Sequence, residues 1–417
     1  MVLEETTLKE RFKEIRSKSL AICEPLSLED HVVQPVVDVS PPKWHLGHTT
    51  WFFETFILAP HDPGYKNFDN NYGYLFNSYY ETVGARVIRT DRGNMTRPSV
   101  DKIIDYRRYV DKALEDFLEG ELGNRLTALI ELGLQHEQQH QELLYYDIKY
   151  ILGNNPLFPE YLPLNAKNGT KDTREVGHLE IDEGLYTIGF DKTGFHFDNE
   201  LGVHKTYLHG CVVEDRLVTN GEYLEFVLDG GYQDFRHWLS EGWDWVKTNN
   251  IKAPFHWHLQ DNEWQVYSLR GGLCPIELSE PVAHVSFFEA DAFAKWKDKR
   301  LLTEFEWEVA CKQYGRISEN SNFSDLASFS PETAQSDNNQ LFGDVWEWTS
   351  GAYRPYPFYK APEGAVGEYN GKFMINQMVL RGGSCATSKS HIRSTYRNFF
   401  HPHLRWMFSG IRLASDL

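Results

Sequence analysis

The five residues His136-Glu137-Gln138-Gln139-His140 restrict this chain more tightly than any other stretch. They lie in a run, residues 126–152, in which Leu126, Leu129, Gly133, His136, His140, Leu143 and Asp147 or Ile148 share one stripe at helical spacing. Both imidazoles therefore stand one above the other on the face that a soluble helix buries. Two histidines at i and i+4 present neighbouring nitrogens and can share one metal ion. A pair satisfied by hydrogen bonds at an interface is the plain alternative. Gly133, one turn earlier, leaves room beside the pair, and Glu142, close behind, is placed to orient a ring. Any further ligand has to come from another part of the chain.

Several upstream segments are helical. Residues 5–24 read as an amphipathic helix with Leu8, Phe12, Ile15 and Leu20 inward. Ser40-Pro41-Pro42 reads as a helix start, with Ser40 as N-cap and Pro41 at the first position. The helix that follows, to about residue 58, carries Trp44, His48, Trp51 or Phe52, and Thr55 on one stripe. His48 thus faces the core between aromatic neighbours, while His45 sits nearly a turn earlier; spacing alone admits either as a ligand. Arg86, Arg89, Arg92 and Arg97 crowd the next loop and form a candidate anion clamp, against the alternative of a solvated loop. Ser99 caps a further helix to about residue 119. Four helices before Gly153 read as an up-and-down bundle with a metal site in its core, spanning residues 1–160. Gly153-Asn154-Asn155-Pro156 ends the last helix, and residues 154–175 read as a linker.

A chain of 417 residues is too long for one ordinary core, and the pattern changes accordingly beyond Glu175. Residues 184–190, 202–212 and 216–220 read as strands, and 220–228 and 286–298 as helices. Trp238, Trp243, Trp245, Trp257 and Trp264 crowd one segment without a repeat. This half, residues 175–417, is expected to be an irregular α+β domain in which tryptophans replace regular layers. The net charge of -18 argues against nucleic acid or an anionic membrane as the main partner. The charged opening is no signal peptide, and no apolar run approaches the roughly 18 residues of a membrane span. Cys23, Cys211, Cys274, Cys311 and Cys385 are scattered, which fits a reduced, cytoplasmic protein with structural thiols.

Some stretches are not generic. Pro281-Val282-Ala283-His284-Val285-Ser286, Glu289-Ala290 and Arg300-Leu301-Leu302-Thr303-Glu304-Phe305-Glu306-Trp307-Glu308 resemble one continuous run of formylglycine-generating-enzyme-like domains. Gly343-Asp344-Val345-Trp346-Glu347-Trp348-Thr349, Val379-Leu380-Arg381-Gly382-Gly383-Ser384 and Ser409-Gly410-Ile411-Arg412-Leu413-Ala414 resemble the later motifs of the same domains. The resemblance implies a C-type-lectin-like fold. The first half resembles DinB-type four-helix bundles, whose three histidines bind a metal. The two halves in this order resemble the EgtB-type nonheme iron sulfoxide synthases of ergothioneine biosynthesis. Family motifs map onto Trp44-His45-Leu46-Gly47-His48 and onto His136 to His140, which implies His48, His136 and His140 as Fe(II) ligands. The implied architecture is α plus α+β, in two domains.

The family reaction joins a thiol sulfur to C2 of Nα-trimethylhistidine (hercynine) with O2 and leaves a sulfoxide. Three neutral imidazoles keep the full charge of the ion and leave positions for substrates. A trimethylammonium group needs aromatic faces and amide oxygens, and Gln139, Asn398 and Phe399 match family positions near it. The glycine-rich residues 346–356 offer further aromatic wall. Arg89 and Arg92 match the family's arginine pair for the thiol substrate. Tyr79 and Tyr80 are candidates for proton transfer, with aromatic packing as the alternative. Phe400 stands where the γ-glutamylcysteine-using branch has an aspartate, and Gly367-Glu368-Tyr369-Asn370-Gly371-Lys372-Phe373-Met374 looks like the other branch, so free cysteine is the expected partner.

Rival readings differ in testable ways. His136 to His140 also fits HExxH of zinc proteases, with Glu137 as general base, but Leu143 breaks the extended motif. A DinB-type thiol transferase would leave the second half idle, and a non-enzymatic lectin-like binding protein would need no metal. Formylglycine generation needs a cysteine pair where Cys385 stands alone. Ovothiol synthases usually add a methyltransferase domain, and selenoneine synthases differ in the chalcogen donor.

Overall fold

Four long helices dominate the first half of the computed structural model, which describes residues 7–164, 174–335 and 338–417. Helix α1 (Leu8–Cys23) opens on a capping box, in which Thr7 Oγ1 accepts from the Glu10 amide and the Glu10 carboxylate accepts from the Thr7 amide. Helix α2 (Pro42–Phe53) continues through a π-helical turn, Glu54–Leu58, into Ala59–His61. Helix α3 (Val100–Phe117) is capped by Ser99, and α4 (Asn124–Gly153) carries the histidine pair. Of the expected linker, residues 165–173 lie outside the described residues.

The start of α2 differs from expectation. Pro41 occupies the N-cap and Pro42 the first helical position, where a missing N–H costs nothing. Ser40 is freed for tertiary contacts: its amide donates to Asp147 Oδ2 (2.8 Å) and its hydroxyl accepts from Arg92 Nη1 (2.9 Å). Two glycines let side chains approach α2 and α4 closely. A Cβ on Gly47 would lie 2.3 Å from the Phe76 ring, and one on Gly133 would lie 2.7 Å from Phe53 and 2.9 Å from Phe52. The room expected at Gly133 is therefore filled by two rings of α2. Gly47→Ala is expected to destabilise the bundle by about 1–3 kcal/mol through overpacking, read as a lower urea midpoint.

Glu137 is the polar staple of the bundle. Its carboxylate accepts from Arg16 Nη1 (2.9 Å) and Ser19 Oγ (2.6 Å) of α1, and from Arg107 Nη2 of α3. All four side chains are buried.

The chain up to Leu157, together with Gly364–Glu368, forms one unit, and Phe158–Glu363 with Tyr369–Leu417 forms the other. The second unit contains two four-stranded sheets among its described residues. Its strands are β1 (His178–Ile181), β2 (Cys211–Glu214), β3 (Arg300–Leu301), β4 (Trp346–Ala352), β5 (Met378–Arg381), β6 (Asn398–Phe400), β7 (Ser409–Gly410) and β8 (Leu413–Asp416). One sheet runs β1-β2-β8-β3, all antiparallel, and the other β6-β5-β4-β7, with β4 and β7 parallel. A hairpin (Gly184–Ile188 with His204–Leu208) and a meander (Trp257–Gln260, Glu263–Ser268, Gly272–Pro275) complete the strands. The two-domain α plus α+β architecture, a helical bundle followed by a C-type-lectin-like domain, is thus the one observed.

Residues 216–220 do not form the expected strand. Thr219 and Glu222 close a capping box there and start the helix Asn220–Leu228. The shared motifs of this half pair with one another. Glu304 binds Arg397 (2.8 and 3.0 Å), Glu308 binds Arg381, and Glu347 binds Arg412 (2.7 and 3.0 Å), all buried. Ion pairs between distant segments hold a domain with few regular elements in one arrangement. Trp346, Trp348, Tyr353 and Tyr356 pack in the same interior: Trp348 Nε1 donates to the Val285 carbonyl (2.8 Å), and Trp346 lies against Tyr396. None of the five cysteines is in a disulfide, and no described helix is long and apolar enough to cross a membrane.

Candidate metal centre

Helices α2 and α4 together place His48, His136 and His140 so that one nitrogen of each lies within 4.8 Å of the others. His48 Nε2 and His136 Nε2 are 3.2 Å apart. Two ~2.1 Å metal–nitrogen bonds at roughly a right angle span about 3 Å, so the spacing suits a shared ion. His48 Nδ1 donates to the Phe76 carbonyl (2.6 Å), which leaves Nε2 as a lone pair. Its ring is sandwiched between Trp44 (4.6 Å) and Trp51 (5.5 Å), one turn on either side along α2. Phe52 packs on His136 at 5.0 Å.

Burial holds all three rings neutral. It pushes His136 down to about 3 despite the nearby Glu137 charge. Burial and the His136 imidazole push His48 well below the usual histidine range, and burial, His136 and His48 do the same to His140. A neutral imidazole is the form that ligates a metal. His48 and His136 are buried while His140 keeps part of its surface accessible. The donor set therefore fits a divalent ion with sites left for exogenous ligands.

His45, which spacing could not separate from His48, turns elsewhere. Its Nε2 lies 2.9 Å from Asp147 Oδ2 and its Nδ1 lies 2.8 Å from His140 Nδ1. Glu142, expected behind the rings, accepts instead from the Tyr146 hydroxyl; the carboxylate behind His140 is Asp147, acting through His45. Asp147 falls on the histidine stripe, two turns past His140, and that position was the available signal. Glu137 faces α1 and α3 rather than the histidine cluster, as the staple described above.

Of the arginine loop, Arg92 is buried, with its guanidinium 3.4 Å from the centre of the Trp44 ring and no hydrogen-bond partner for Nε. Arg89 is exposed and donates to the Asp38 carbonyl (2.6 Å). Tyr79 and Tyr80 stack on each other at 4.7 Å, and Tyr80 packs on Trp51 and Phe56. The turn that follows is held by Glu368, whose carboxylate accepts from the Glu81 and Thr82 amides (3.1 Å each) and the Thr82 hydroxyl (2.8 Å). That anchor was missed, although Glu368 stands in the Gly367 to Met374 run. Gln139 is half-buried beside His140 on α4. Asn398 and Phe399 belong to the second unit, on β6, where Phe399 stacks on Tyr353 at 4.0 Å.

The DinB superfamily model matches residues 11–144, and the sulfatase-modifying factor enzyme 1-like domain matches residues 165–339 and 316–417. The chain is 31% identical over 313 residues to a hercynine oxygenase of Mycolicibacterium smegmatis, covering 69% of this chain and 71% of that protein. The chain belongs to the hercynine oxygenase family. Membership makes it an enzyme, an oxygen-dependent oxidoreductase. Another member of the family, the hercynine oxygenase of Mycobacterium tuberculosis, is 28% identical over 404 residues, with 91% of this chain and 92% of that protein covered. Ergothioneine biosynthesis protein 1 of Schizosaccharomyces pombe is 26% identical over 275 residues, or 63% of this chain and 31% of that protein.

Proposed function

We propose that this chain is an Fe(II)-dependent sulfoxide synthase that joins the sulfur of cysteine to imidazole C2 of hercynine, giving hercynylcysteine sulfoxide in ergothioneine biosynthesis. One observation carries the reading: the convergence of three neutral imidazoles at His48, His136 and His140 in a member of the hercynine oxygenase family. The reaction balances without another reductant. C2 and the thiol each give up a hydrogen, a carbon–sulfur bond forms, one atom of O2 ends on sulfur, and the other leaves as water. Bound iron, held by the three histidines, would supply the electron transfer to O2 and the charge that favours a thiolate.

The chain's own groups bind, orient and move protons. Arg92 is a buried cation with an unused N–H, and burial pushes it well below the usual guanidinium range, aided by the charge of Arg89. A cation in that position calls for an anion, which the carboxylate of the thiol substrate supplies, with Arg89 beside it. Gln139, Asn398 and Phe399 offer the amide oxygens and aromatic face that suit a trimethylammonium group. One of Tyr79 and Tyr80 delivers the proton taken up as O2 is reduced. Phe400 at the position of the other branch's aspartate favours cysteine over γ-glutamylcysteine.

Mass spectrometry of products from hercynine, O2 and each thiol tests the proposal. A cysteine adduct is expected; a γ-glutamylcysteine adduct alone transfers the chain to the other branch, and no adduct with either thiol ends the reading. Zinc rather than iron after anaerobic purification would point to hydrolytic chemistry. Arg92→Ala is expected to raise the apparent KM for the thiol by about 10–100-fold, the loss of one charge-assisted hydrogen bond, with the hercynine KM unchanged. An equal loss for both substrates removes the assignment.

A further inference from the structure

His45 and Asp147 have no part in the reaction as proposed, yet both are buried and stand in line behind His140. Asp147 Oδ2 accepts from the Ser40 amide (2.8 Å) and lies 2.9 Å from His45 Nε2, while His45 Nδ1 lies 2.8 Å from His140 Nδ1. The acceptor at the end sets the polarity of the whole line. A carboxylate oxygen only accepts, so His45 carries its proton on Nε2 and donates it to Asp147. In the neutral imidazole, His45 Nδ1 is then a bare lone pair. The contact between the two Nδ1 atoms needs one proton, and His140 supplies it. His140 is left with a lone pair on Nε2.

From this geometry we infer that His45 and Asp147 are positioning residues that hold His140 in the Nδ1–H tautomer, its ring already aimed, so that Nε2 is ready for a metal ion before any ion arrives. The inference rests on the reading above that His48, His136 and His140 share a metal. An imidazole without such a partner exchanges between two tautomers and rotates, and only one arrangement binds through Nε2. Fixing it beforehand removes that cost from metal binding. His48 reaches the same state by a different route, since the Phe76 backbone carbonyl takes its Nδ1–H. Of these two routes, the His140 one runs through side chains and can be changed by substitution.

The test uses the full chain and Co(II) as the probe metal, titrated without oxygen and read by its d–d absorption. His45→Ala removes the acceptor for His140. Asp147→Asn keeps the shape of the carboxylate but presents an amide N–H, which either reverses the His45 tautomer or sets two donors face to face. Both variants are expected to bind Co(II) about 10–100-fold more weakly than the unmodified protein, with a shifted d–d band and an unchanged far-UV spectrum. A second measurement reads the unmodified protein rather than either of these variants: in metal-free protein labelled with ring-15N histidine, the His140 signals, assigned by comparison with His140→Ala, are expected to show the proton on Nδ1. Unchanged affinity and band in both variants, or a proton on His140 Nε2, overturns the inference. Failure of the unmodified protein to bind Co(II) would instead remove the metal site and the inference with it.

Discussion

Replacing His140 with alanine is expected to leave a folded protein that binds no iron and forms no sulfoxide. The cluster has three nitrogen donors, two buried and one partly accessible, and His140 is the accessible one. Two imidazoles of one cluster do not hold a ferrous ion against water, so the loss should exceed the roughly 10–100-fold produced by removing a group that only orients a ligand. The structural cost is smaller. His140→Ala leaves the His45 Nδ1 lone pair without a donor, a penalty of about 1–3 kcal/mol. Metal content after anaerobic reconstitution, product mass spectra and a far-UV melt on one preparation separate the two effects. Retained iron or retained product removes His140 from the site. Set beside the partial loss expected for His45→Ala, the series distinguishes a ligand from a residue that aims one.

Glu137→Gln is expected to cost the bundle about 3–5 kcal/mol, the range for removing one partner of a buried ion pair. Arg107 bears most of it: the guanidinium is fully buried, and its other partners are the neutral Thr49 hydroxyl and the Arg16 carbonyl. Arg16 keeps Asp111 (2.6 Å) and suffers less. The effect has a defined pH dependence. Burial pushes the Glu137 carboxyl up, but Arg107 and Arg16 overcome it and hold the group at about 2. A carboxyl lowered in the folded state stabilises fully above its unfolded value of about 4.3, and the contribution is lost as pH falls toward the folded value. The advantage of the unmodified protein over Glu137→Gln should therefore be constant from about pH 5 to 7 and shrink between about pH 4 and 2. Hydrogen exchange of the α1, α3 and α4 amides reads this locally. A variant of unchanged stability but no turnover would instead give Glu137 the role of a general base, as the zinc-protease pattern requires.

What could be read from the residues was what depends on neighbours along the chain. The i, i+4 placement of His136 and His140 follows from 3.6 residues per turn and needed no partner to be legible. So did the cap at Ser99, and the change from helical to irregular pattern after the bundle. Ser40 shows where such reasoning stops. Its sequence context is that of a cap, but a neighbouring helix end and a loop supplied Asp147 and Arg92 as stronger partners, and Pro41 took the cap position.

The sequence by itself determined a helical domain with a histidine pair on its buried face, a second domain of mixed structure, and the family to which both resemble. Spacing left His45 and His48 open and the family resemblance implied His48; the tertiary structure brings His48 to the pair, a choice that spacing could not make because the rotation of α2 against α4 has no local signature. Tertiary structure also decided that Glu137 binds arginines of two other helices, that Phe52 and Phe53 fill the space at Gly133, and that Asp147 rather than Glu142 stands behind a ring. Each of these joins residues far apart in the chain. A side chain's direction is set by its own backbone, but what it meets there is set by how separate elements pack.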